Sequence, residues 1–400
     1  MEKRKVLFIC NKSPWPAKEG GPIAMNRLIE GLADAGNQVK VLAVDSNKYH
    51  VDLQNIPAAY LRKTNIGFVP VDLSVKPAPA FFNLFSNKSY HVQRFISKTF
   101  EEKLKEVLQK EDYDIVQMET LFMAPYLKTI RRYSKAKAVL RAHNIEHLIW
   151  KRMAHAGSNP LKRLYLKHLY TTLEHYEKSV LDRFDGILPI TEKDAAFFRQ
   201  YSRTPVKAIP FGIYPEPPAK TVNPGVENAL FHIGAMNWMP NQEGMDWFLK
   251  EVWPGLTSRH PELRFYLAGR AMPARFKRLS QKNVVVLGEV PDARAFILSK
   301  SISIAPLFSG SGVRIKIMES MALGKAVVST STGAEGIACT HGKDILIADT
   351  ADDFAKAVSF LYTHPAKAEE LGKNARKLME TKHDNRKIIG ELERFYEEIL

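Results

Sequence analysis

The stretch ISIAPLFSGSGVRIKIMESMALGKAVVSTSTGAEGI, from Ile302 to Ile337, decides the fold of this chain. An apolar strand is predicted over Ile302 to Leu307, followed by the glycine-rich turn Ser309 to Gly312. A helix then leads to a second strand, Ala326 to Thr330, and to another glycine-containing turn, Thr332 to Gly336. This order is typical of an open α/β sheet, in which ligands bind beyond the carboxyl ends of the strands.

The first of these loops has the chemistry of a phosphate site. Free backbone N–H groups and the positive end of a helix suit a diphosphate. Arg314 and Lys316 add two cations as the helix opens. Glu319 follows about one turn deeper, where a carboxylate can accept hydrogen bonds from two ribose hydroxyls. The stretch therefore predicts a nucleotide-binding site.

These residues resemble the donor-site signature of the retaining glycosyltransferases of family four, which use nucleotide sugars and have the GT-B fold. In that family two Glu residues, with seven residues between them, bracket a glycine-containing turn. Glu319 stands at the second position, whereas Ser311 stands at the first. One branch of the family carries Gly-x-Arg-x-Lys-x-x-Glu here, and Gly312 to Glu319 fits that pattern. The resemblance implies an α/β fold of two Rossmann-like open parallel-sheet domains that face each other across a cleft.

Length and composition agree with a globular protein of two domains. The chain has 400 residues, of which 45% are hydrophobic and 25% charged. No run reaches the roughly 20 apolar residues of a membrane span, and no signal-peptide pattern follows the basic start. Cys10 and Cys339 are far apart in sequence, which predicts neither a disulfide framework nor a zinc site. We expect a cytoplasmic protein, with the inner face of the membrane as a place where it acts.

Positive charge is concentrated in the first half of the chain. Residues 1–214 contain 34 Lys or Arg and 21 Asp or Glu, a net charge of +13, whereas residues 215–400 contain 24 and 22, a net charge of +2. We expect no nucleic-acid partner, because no recognition helix, RNP-type aromatic pattern or zinc-finger spacing is present. The excess favours an anionic membrane or a lipid-linked phosphate. The alternative is that Lys-rich helices simply keep the protein soluble.

Alternating strands and helices predict the domain boundaries. The predicted strands are Val6–Cys10, Gln38–Val44, Gly67–Val71, Ile115–Met118, Ala138–Ala142 and Gly186–Ile190, then Ala229–Gly234, Arg264–Ala268, Val284–Leu287, Ile302–Leu307, Ala326–Thr330 and Asp344–Ile347. The predicted helices include Ile23–Ala35, Val92–Gln109, Ile145–Arg183 with a break near Gly157–Pro160, and Asn385–Leu400. A proline-rich segment without apolar periodicity predicts an interdomain linker. The predicted divisions are a first domain over 1–213, a linker over 214–225, a donor domain over 226–382 and a helix over 383–400 that crosses back to the first domain.

The first half offers three site residues. Gly20 and Gly21 lie between the first strand and a helix with Pro22 in its first turn, as expected at an exposed helix N-terminus near the donor phosphates or the acceptor. An ordinary tight turn is the alternative. His143 ends a strand, and family members often place a His there that faces the transferred sugar. A His at a strand end can donate to a sugar hydroxyl or stabilise developing charge, and a structural His beside the N-cap Asn144 is the alternative.

In the second half, Gly234 and Asn237 follow the first strand. The family commonly carries Gly-x-Arg there and a Lys several residues later, both of which grip the diphosphate. This chain has Met236 at the Arg position and no Lys in Pro240–Gly244. We infer that Arg314 and Lys316 replace the missing pair, because a leaving nucleoside diphosphate needs its charge neutralised.

The remaining predicted donor contacts come from three loops and one helix. Gly288 and Val290 resemble the family segment whose backbone meets the nucleobase. The other predicted donor-binding residues are Ser311, Gly312, Glu319, Gly333 and Glu335. A plain loop at Gly333 and a surface helix at Glu319 are the alternatives, although Glu319 has apolar neighbours in sequence.

We predict no metal and no cofactor. Asp112-Tyr113-Asp114 superficially matches the Asp-x-Asp of metal-dependent glycosyltransferases, but it precedes a strand and so lies at the wrong end for this site. The resemblance implies a retaining enzyme that transfers a hexose-type sugar from a nucleotide-diphosphate sugar to a hydroxyl of a glycan or lipid-linked acceptor, in cell-envelope polysaccharide or glycolipid synthesis. A nucleotide-sugar 2-epimerase of the same fold and a non-catalytic sugar-nucleotide-binding protein are the alternatives.

Overall fold

The computed structural model describes residues 3–17, 20–47, 50–156, 160–214, 225–310 and 313–400. The chain divides into two compact units. Unit 1 comprises Met1–Gly212 together with Asn385–Leu400, and unit 2 comprises Ile213–Asp384. Residues 215–224 of the predicted linker lie outside the described residues, as do Ser311 and Gly312 of the predicted phosphate loop.

Strands and helices alternate through both units. The strands are β1 (Lys5–Cys10), β2 (Gln38–Asp45), β3 (Gly67–Pro70), β4 (Ile115–Glu119), β5 (Lys137–Ala142), β6 (Gly186–Pro189), β7 (Glu227–Ile233), β8 (Phe265–Ala268), β9 (Val284–Gly288), β10 (Lys300–Ala305), β11 (Ala326–Ser329) and β12 (Leu346–Ile347). The helices are α1 (Gly20–Asp34), α2 (Ala58–Thr64), α3 (Pro77–Asn83), α4 (Tyr90–Gln93), α5 (Lys98–Lys110), α6 (Leu127–Tyr133), α7 (Glu146–Ala156), α8 (Pro160–Val180), α9 (Glu192–Tyr201), α10 (Met239–Trp247), α11 (Trp253–Arg259), α12 (Ala274–Lys277), α13 (Ala293–Leu298), α14 (Ile315–Ala322), α15 (Ser331–Ala334), α16 (Ala351–Thr363), α17 (Pro365–Lys382) and α18 (Asn385–Ile399).

Unit 1 contains a parallel sheet with the strand order β3-β2-β1-β4-β5-β6. Successive side chains of β1 point to opposite faces, so each face has its own core. Leu7 and Ile9 belong to one cluster, and Val6 and Phe8 belong to the other. Because both faces are covered, the strands are nearly continuous runs of apolar residues.

The last helix belongs to unit 1. Five of its side chains are buried in the cluster that contains Val6 and Phe8: Ile388, Ile389, Leu392, Phe395 and Tyr396. Asn385 Nδ2 also donates to the carbonyl oxygen of Arg27 on α1, at 2.9 Å. The chain thus returns from unit 2 to complete the core of unit 1.

The predicted single helix Val92–Gln109 is wrong. The structure ends α4 at Gln93 and begins α5 at Lys98. Ser97 has an extended backbone, and its hydroxyl accepts a hydrogen bond from the N–H of Phe100. This N-cap satisfies a free N–H of α5, which favours a helix start over a continuous helix.

Unit 2 contains a parallel sheet with the strand order β12-β11-β10-β7-β8-β9. Its main core packs Leu230, Ile302 and Val328 of the sheet against aromatic residues such as Phe248 and Trp253. From β7 the chain runs outward to β8 and β9, and then returns to β10 on the other side of β7. Among the described residues, no helix is both long and apolar enough to cross a membrane.

Candidate functional site

In both sheets the direction of winding reverses once, and such a switch point is where open α/β sheets bind ligands. In unit 2 the switch point lies between β7 and β10. The segment after β7 leads into α10, and the segment after β10 leads into α14. The Oγ of Ser309 donates to Oε2 of Glu243 at 2.6 Å, so a hydrogen bond joins these two segments.

Lys316 lies at this switch point. Its ammonium donates to Oδ1 of Asn241 on α10 and lies 3.5 Å from Nε2 of His232 on β7. His232 Nδ1 donates to the carbonyl oxygen of Ile304 at 2.9 Å, which leaves Nε2 as an acceptor that faces Lys316. Burial, together with the charge of Lys316, holds the pKa of His232 well below its usual value, so the imidazole stays neutral.

Burial also changes the protonation of Lys316. Desolvation, with a smaller contribution from the neighbouring charge of Arg314, lowers the pKa of Lys316 from 10.5 to about 7. Two cations held this close together favour loss of a proton from the weaker one. An anionic ligand beside Lys316 would raise its pKa again and favour the ammonium form.

Arg314 lies immediately before α14 and is only 3% exposed. Its guanidinium carbon is 5.7 Å from the ring centre of Trp238, and Nζ of Lys316 is 6.0 Å from the same ring. Gly310 has a φ of +97°, and a Cβ there would lie 2.7 Å from the Trp238 ring, so a side chain at this position would displace the ring. Trp238, which is 36% exposed, thus forms one wall beside the two cations.

Glu319 lies on α14 with its side chain exposed, although its neighbours Met318 and Ser320 are buried. The apolar sequence neighbours therefore face the core and do not cover the carboxylate. Ser311 and Gly312, the two residues of the phosphate loop that complete the predicted signature, lie outside the described residues.

The other predicted donor residues of unit 2 also lie at carboxyl ends of strands. Gly234 and Asn237 follow β7, and Gly288 ends β9. Asn237 is exposed, whereas Met236, which occupies the position of the family Arg, is fully buried in the core. Asn241 Nδ2 donates to the carbonyl oxygen of Ala235 at 2.8 Å, which holds the segment after β7 against α10.

Three predicted contacts differ in their surroundings. Val290 packs its side chain against a small apolar cluster that includes Phe231 and Phe296. Gly333 is buried in α15, where a Cβ would lie 2.2 Å from Oγ of Ser329, so packing alone requires glycine. Glu335 is half-buried directly after α15.

In unit 1 the switch point lies between β1 and β4. Glu119 ends β4 and is fully buried, and the adjacent strand β5 is followed by His143. His143 Nε2 donates to Oε2 of Glu119 at 2.6 Å. This bond fixes the orientation of the ring and leaves Nδ1 as the ring nitrogen that Glu119 does not engage.

A buried chain of hydrogen bonds holds Glu119. Gln117 Nε2 donates to Oε1 of Glu119 at 2.6 Å, and the hydroxyl of Tyr396 on α18 donates to Oε1 of Gln117. Arg141 is 2% exposed, and its charge interacts with that of Glu119; burial lowers the pKa of Arg141 to about 10. The network therefore contains a buried anion, a buried cation and the partly buried imidazole.

The residue after Glu119 has an unusual backbone. Thr120 has a φ of +80°, which is uncommon for a β-branched residue and occurs most often at functional sites. Its hydroxyl is buried and has no hydrogen-bond partner among the residues that the structure describes.

Gly20 and Gly21 form the first turn of α1 rather than a turn before the helix. The methylene chain end and ammonium of Lys12 lie 3.0 Å from where a Cβ of Gly21 would be, so Lys12 covers this turn.

Burial, with the nearby Glu177 charge, raises the pKa of Glu146 to about 8, and Lys12 partly opposes the shift. Glu177 accepts hydrogen bonds from the backbone N–H groups of Glu146 and His147, which stabilises the start of α7.

Asp112-Tyr113-Asp114 lies at the amino end of β4. Asp114 Oδ2 accepts a hydrogen bond from the N–H of Lys5 at 2.7 Å, so this carboxylate joins β1 to β4 at the edge opposite to Glu119. Within the described part of the chain, no group of three His, Cys, Asp or Glu side chains is arranged to hold a metal ion.

Comparison with known families agrees with the two units. Residues 20–216 match the family described as Glycosyltransferase Family 4, and residues 227–364 match the family described as Glycosyl transferases group 1. Together the two matches cover most of the chain. The chain belongs to the group 1 and family 4 glycosyltransferases.

Solved structures show the fold of this glycosyltransferase. Sucrose-phosphate synthase from Thermosynechococcus elongatus is similar with a TM-score of 0.70 and 17% identity, covering 99% of each chain. TarM is similar with a TM-score of 0.69 and 12% identity, covering 99% of each chain. HepE of Anabaena, solved with UDP-glucose, is similar with a TM-score of 0.65 and 16% identity, covering 99% of this chain and all of that chain. The glycosyltransferase thus has the GT-B fold.

One protein relative spans nearly the whole glycosyltransferase. It is described as an uncharacterized 44.6 kDa protein in the cps region of Klebsiella pneumoniae. The two chains are 22% identical over 402 residues, which cover 97% of this chain and 98% of the relative.

Sequence reasoning missed the partners that hold the site residues of this glycosyltransferase. Glu119 is the partner of His143, and its position at the end of a buried strand was the available signal. Trp238 and Asn241 lie within the segment after β7, but only the return of the chain at β10 brings Arg314 and Lys316 to them.

Proposed function

We propose that this glycosyltransferase takes a hexose-type sugar from a nucleotide-diphosphate sugar, with retention of configuration, and transfers it to a hydroxyl acceptor. One observation carries the proposal: Lys316 reaches Asn241 and His232 at the switch point of unit 2, with Arg314 adjacent. The position suits a diphosphate, because both cations lie where an open α/β sheet binds its ligand.

The proposed chemistry uses the two cations for the leaving group. As the bond between the sugar and the diphosphate breaks, negative charge grows on the diphosphate oxygens. Arg314 and Lys316 are already in place to stabilise that charge, which is the kind of preorganised electrostatics that lowers a barrier most. The low pKa of Lys316 fits this role, since the arriving diphosphate would favour the ammonium form.

The exposed carboxylate of Glu319 is proposed to accept hydrogen bonds from the ribose hydroxyls. The side chain of Glu319 is exposed, so a donor can reach it. Trp238 offers an apolar wall beside the diphosphate position. The other proposed donor contacts are Gly20, Gly21, Gly234, Asn237, Gly288, Val290, Ser311, Gly312, Gly333 and Glu335.

We propose that His143 is a catalytic residue that contacts the transferred sugar. The bond to Glu119 gives the imidazole one orientation, in which its other ring nitrogen can meet a sugar hydroxyl. By family analogy, the leaving group departs and the acceptor attacks on the same face of the sugar, without a protein nucleophile.

The acceptor is proposed to be a glycan or a lipid-linked glycan of the cell envelope. The Klebsiella relative is described by its place in the cps region, which supports polysaccharide synthesis as the process. HepE was solved with UDP-glucose, which supports a nucleotide-sugar donor. The net charge of +13 on residues 1–214 supports contact with an anionic membrane.

The test is incubation of the purified chain with a panel of UDP- and GDP-sugars, with and without a lipid-linked or oligosaccharide acceptor. We expect acceptor-dependent release of nucleoside diphosphate, an unchanged anomeric configuration in the product by NMR, and full turnover in EDTA. Interconversion of the donor without an acceptor would identify an epimerase instead. Donor binding without any turnover would identify a non-catalytic binding protein.

A further inference from the structure

The connection between β3 and α5 presents an exposed aromatic cluster. Phe81, Phe82 and Phe85 are 56%, 69% and 80% exposed. The rings of Phe82 and Phe85 lie 5.9 and 5.7 Å from that of Phe81, in edge-to-face arrangements. Exposure of three neighbouring Phe side chains to water is unfavourable. Full burial of each side chain would be favourable by about 1.5–3 kcal/mol. We call these three residues the aromatic cluster.

Hydrogen bonds hold the segment that carries the aromatic cluster against the rest of unit 1. Asn83 Nδ2 donates to the carbonyl oxygen of Lys88 at 2.9 Å, and His168 Nε2 on α8 donates to the carbonyl oxygen of Asn83 at 3.0 Å. The N–H of Lys76 donates to the hydroxyl of Tyr90 at 3.1 Å. The cluster is therefore a fixed surface feature and not the tip of a free loop.

A cationic groove lies beside the segment that carries the aromatic cluster, because Asn83 donates hydrogen bonds to Lys88 and Gln93 of the groove lining. It has a volume of about 990 Å³ and lies between the segment at residues 87–96, α6 and the end of α8. Its basic lining residues are Lys88, Lys128, Arg131, Arg132 and Arg183, of which Arg131 forms an ion pair with Asp185 at 2.7 Å. Glu101 is the one carboxylate in the described lining, and its Oε1 accepts a hydrogen bond from Thr129 at 2.7 Å. We call this lining the basic groove.

We propose that the aromatic cluster and the basic groove together bind the surface of an anionic lipid bilayer, with the three Phe rings inserted among the lipid headgroups. Amphipathic surfaces bind membranes through buried apolar area plus attraction to anionic lipids, and both parts are adjacent here. The inference deepens the proposed function, on which it rests, because it gives the surface by which the enzyme reaches a lipid-linked acceptor.

Charge decides between a bilayer and a second copy of this chain. Two copies that meet through this surface would bring two basic grooves together, which like-charge repulsion opposes. An anionic bilayer instead complements the groove, and its headgroup region accepts aromatic rings. The cluster also leaves the sheet from the carboxyl end of β3, the same edge at which Glu119 and His143 lie.

The experiment is flotation of the full chain with vesicles, without nucleotide sugar. We expect binding to vesicles of phosphatidylcholine mixed with phosphatidylglycerol, and little binding to pure phosphatidylcholine. The triple variant Phe81→Ser, Phe82→Ser, Phe85→Ser should lose about tenfold or more in partition. Phe360→Ser is the matched control, since Phe360 of unit 2 is also exposed, at 45%, and should leave binding unchanged.

A charge test separates the two halves of the surface. Lys88→Glu with Lys128→Glu should weaken binding to anionic vesicles, and the same double charge reversal at Lys373 and Lys377, exposed on α17 of unit 2, should not. Phe82→Trp supplies a reporter whose fluorescence should shift to the blue on anionic vesicles. If the triple variant does not fold, Phe85→Ser alone gives the same comparison at the most exposed ring.

Three outcomes would overturn the proposal. The first is failure of the wild-type chain to bind anionic vesicles, and the second is equal binding by the triple variant and the wild type. The third is a dimer in solution that dissociates when the three Phe residues are replaced. Because flotation needs no catalysis, its failure is distinguishable from failure of the proposed transfer, which nucleotide release measures separately.

Discussion

The switch points of the two sheets are built around opposite charges. In unit 1 a buried carboxylate, Glu119, holds the imidazole of His143. In unit 2 two cations, Arg314 and Lys316, meet at Trp238, and Lys316 has neutral Asn241 and neutral His232 as neighbours. One topology therefore supports a site that orients an imidazole and a site that concentrates positive charge. The fold supplies the position, and a few side chains decide the chemistry.

The largest expected effect comes from removing the positive charge of unit 2. Arg314→Ala with Lys316→Ala should lower kcat by about 10²–10³ or more, because preorganised charges on the leaving group are lost. Binding of a free nucleoside diphosphate should weaken as well, whereas binding of the uncharged nucleoside should hardly change. Steady-state kinetics and calorimetry measure these effects.

Arg314→Lys is the sharper probe of the same charge. If Arg314 makes a bidentate contact with the diphosphate, Arg314→Lys should lower activity. If Arg314 supplies only a diffuse positive charge, the variant should stay active. Lys373→Ala, on the exposed face of α17, is the control for loss of a cation far from the switch point. Normal turnover of the double Ala variant would mean that the diphosphate is held elsewhere.

Glu319→Ala tests the carboxylate that completes the unit 2 site. Hydrogen bonds to charged groups contribute about 1.5–3 kcal/mol each, so the loss of two should raise the donor Kd by about 10² or more. Since the side chain is exposed, thermal unfolding should stay unchanged. Unchanged donor affinity in calorimetry would show that Glu319 does not hold the ribose.

Glu119→Gln tests the buried anion of unit 1. Gln keeps the shape but loses the charge, so the hydrogen bond that orients His143 loses its charged acceptor. We expect kcat to fall by about 10–10² with little change in donor KM.

Tyr396→Phe is the matched control for this network, because it removes the hydrogen bond to Gln117 and leaves Glu119 in place. Tyr396→Phe should lower kcat by less than about tenfold. Equal effects of the two variants would make Glu119 a structural residue.

The smallest expected effect is a pH dependence of product binding. With a pKa of about 7, Lys316 is increasingly neutral above that pH, so affinity for a nucleoside diphosphate should fall by up to about tenfold per pH unit. Calorimetry in buffers of different ionisation enthalpy should detect proton uptake on binding. Lys316→Arg, which stays charged, should give a flatter profile.

The lowered pKa of Lys316 also makes the stability of the protein depend on pH. Stability changes with pH in the opposite direction to the affinity for a nucleoside diphosphate. Between pH 7 and pH 10.5 the unfolded chain holds the Lys316 proton and the folded chain does not. The contribution of Lys316 to the free energy of unfolding therefore rises with pH across this window.

A pH-independent affinity of the wild type for a nucleoside diphosphate would contradict the placement of the Lys316 ammonium at the diphosphate.

The strands could be predicted closely because both sheets are parallel and covered on both faces. Strands such as β1 and β11 are therefore continuous runs of Val, Ile, Leu or other apolar residues between turn residues. Helix ends were harder, since local hydrogen bonds such as that of Ser97 compete with the helix. The apolar neighbours of Glu319 in sequence argued against a surface helix residue, but those side chains face the core and Glu319 is exposed.

The sequence by itself determined the family, the two α/β halves and the residues that carry charge, because those properties depend on residue types at short spacings. Only the tertiary structure decided the partners. Lys316 and Asn241 are 75 residues apart, and His143 and Glu119 are 24 apart. Each pair meets because parallel strands bring their carboxyl ends to one edge of the sheet, and strand order depends on the packing of the whole unit. The hydrogen bond from Tyr396 to Gln117 depends on the return of α18 to unit 1, which burial of its apolar face stabilises.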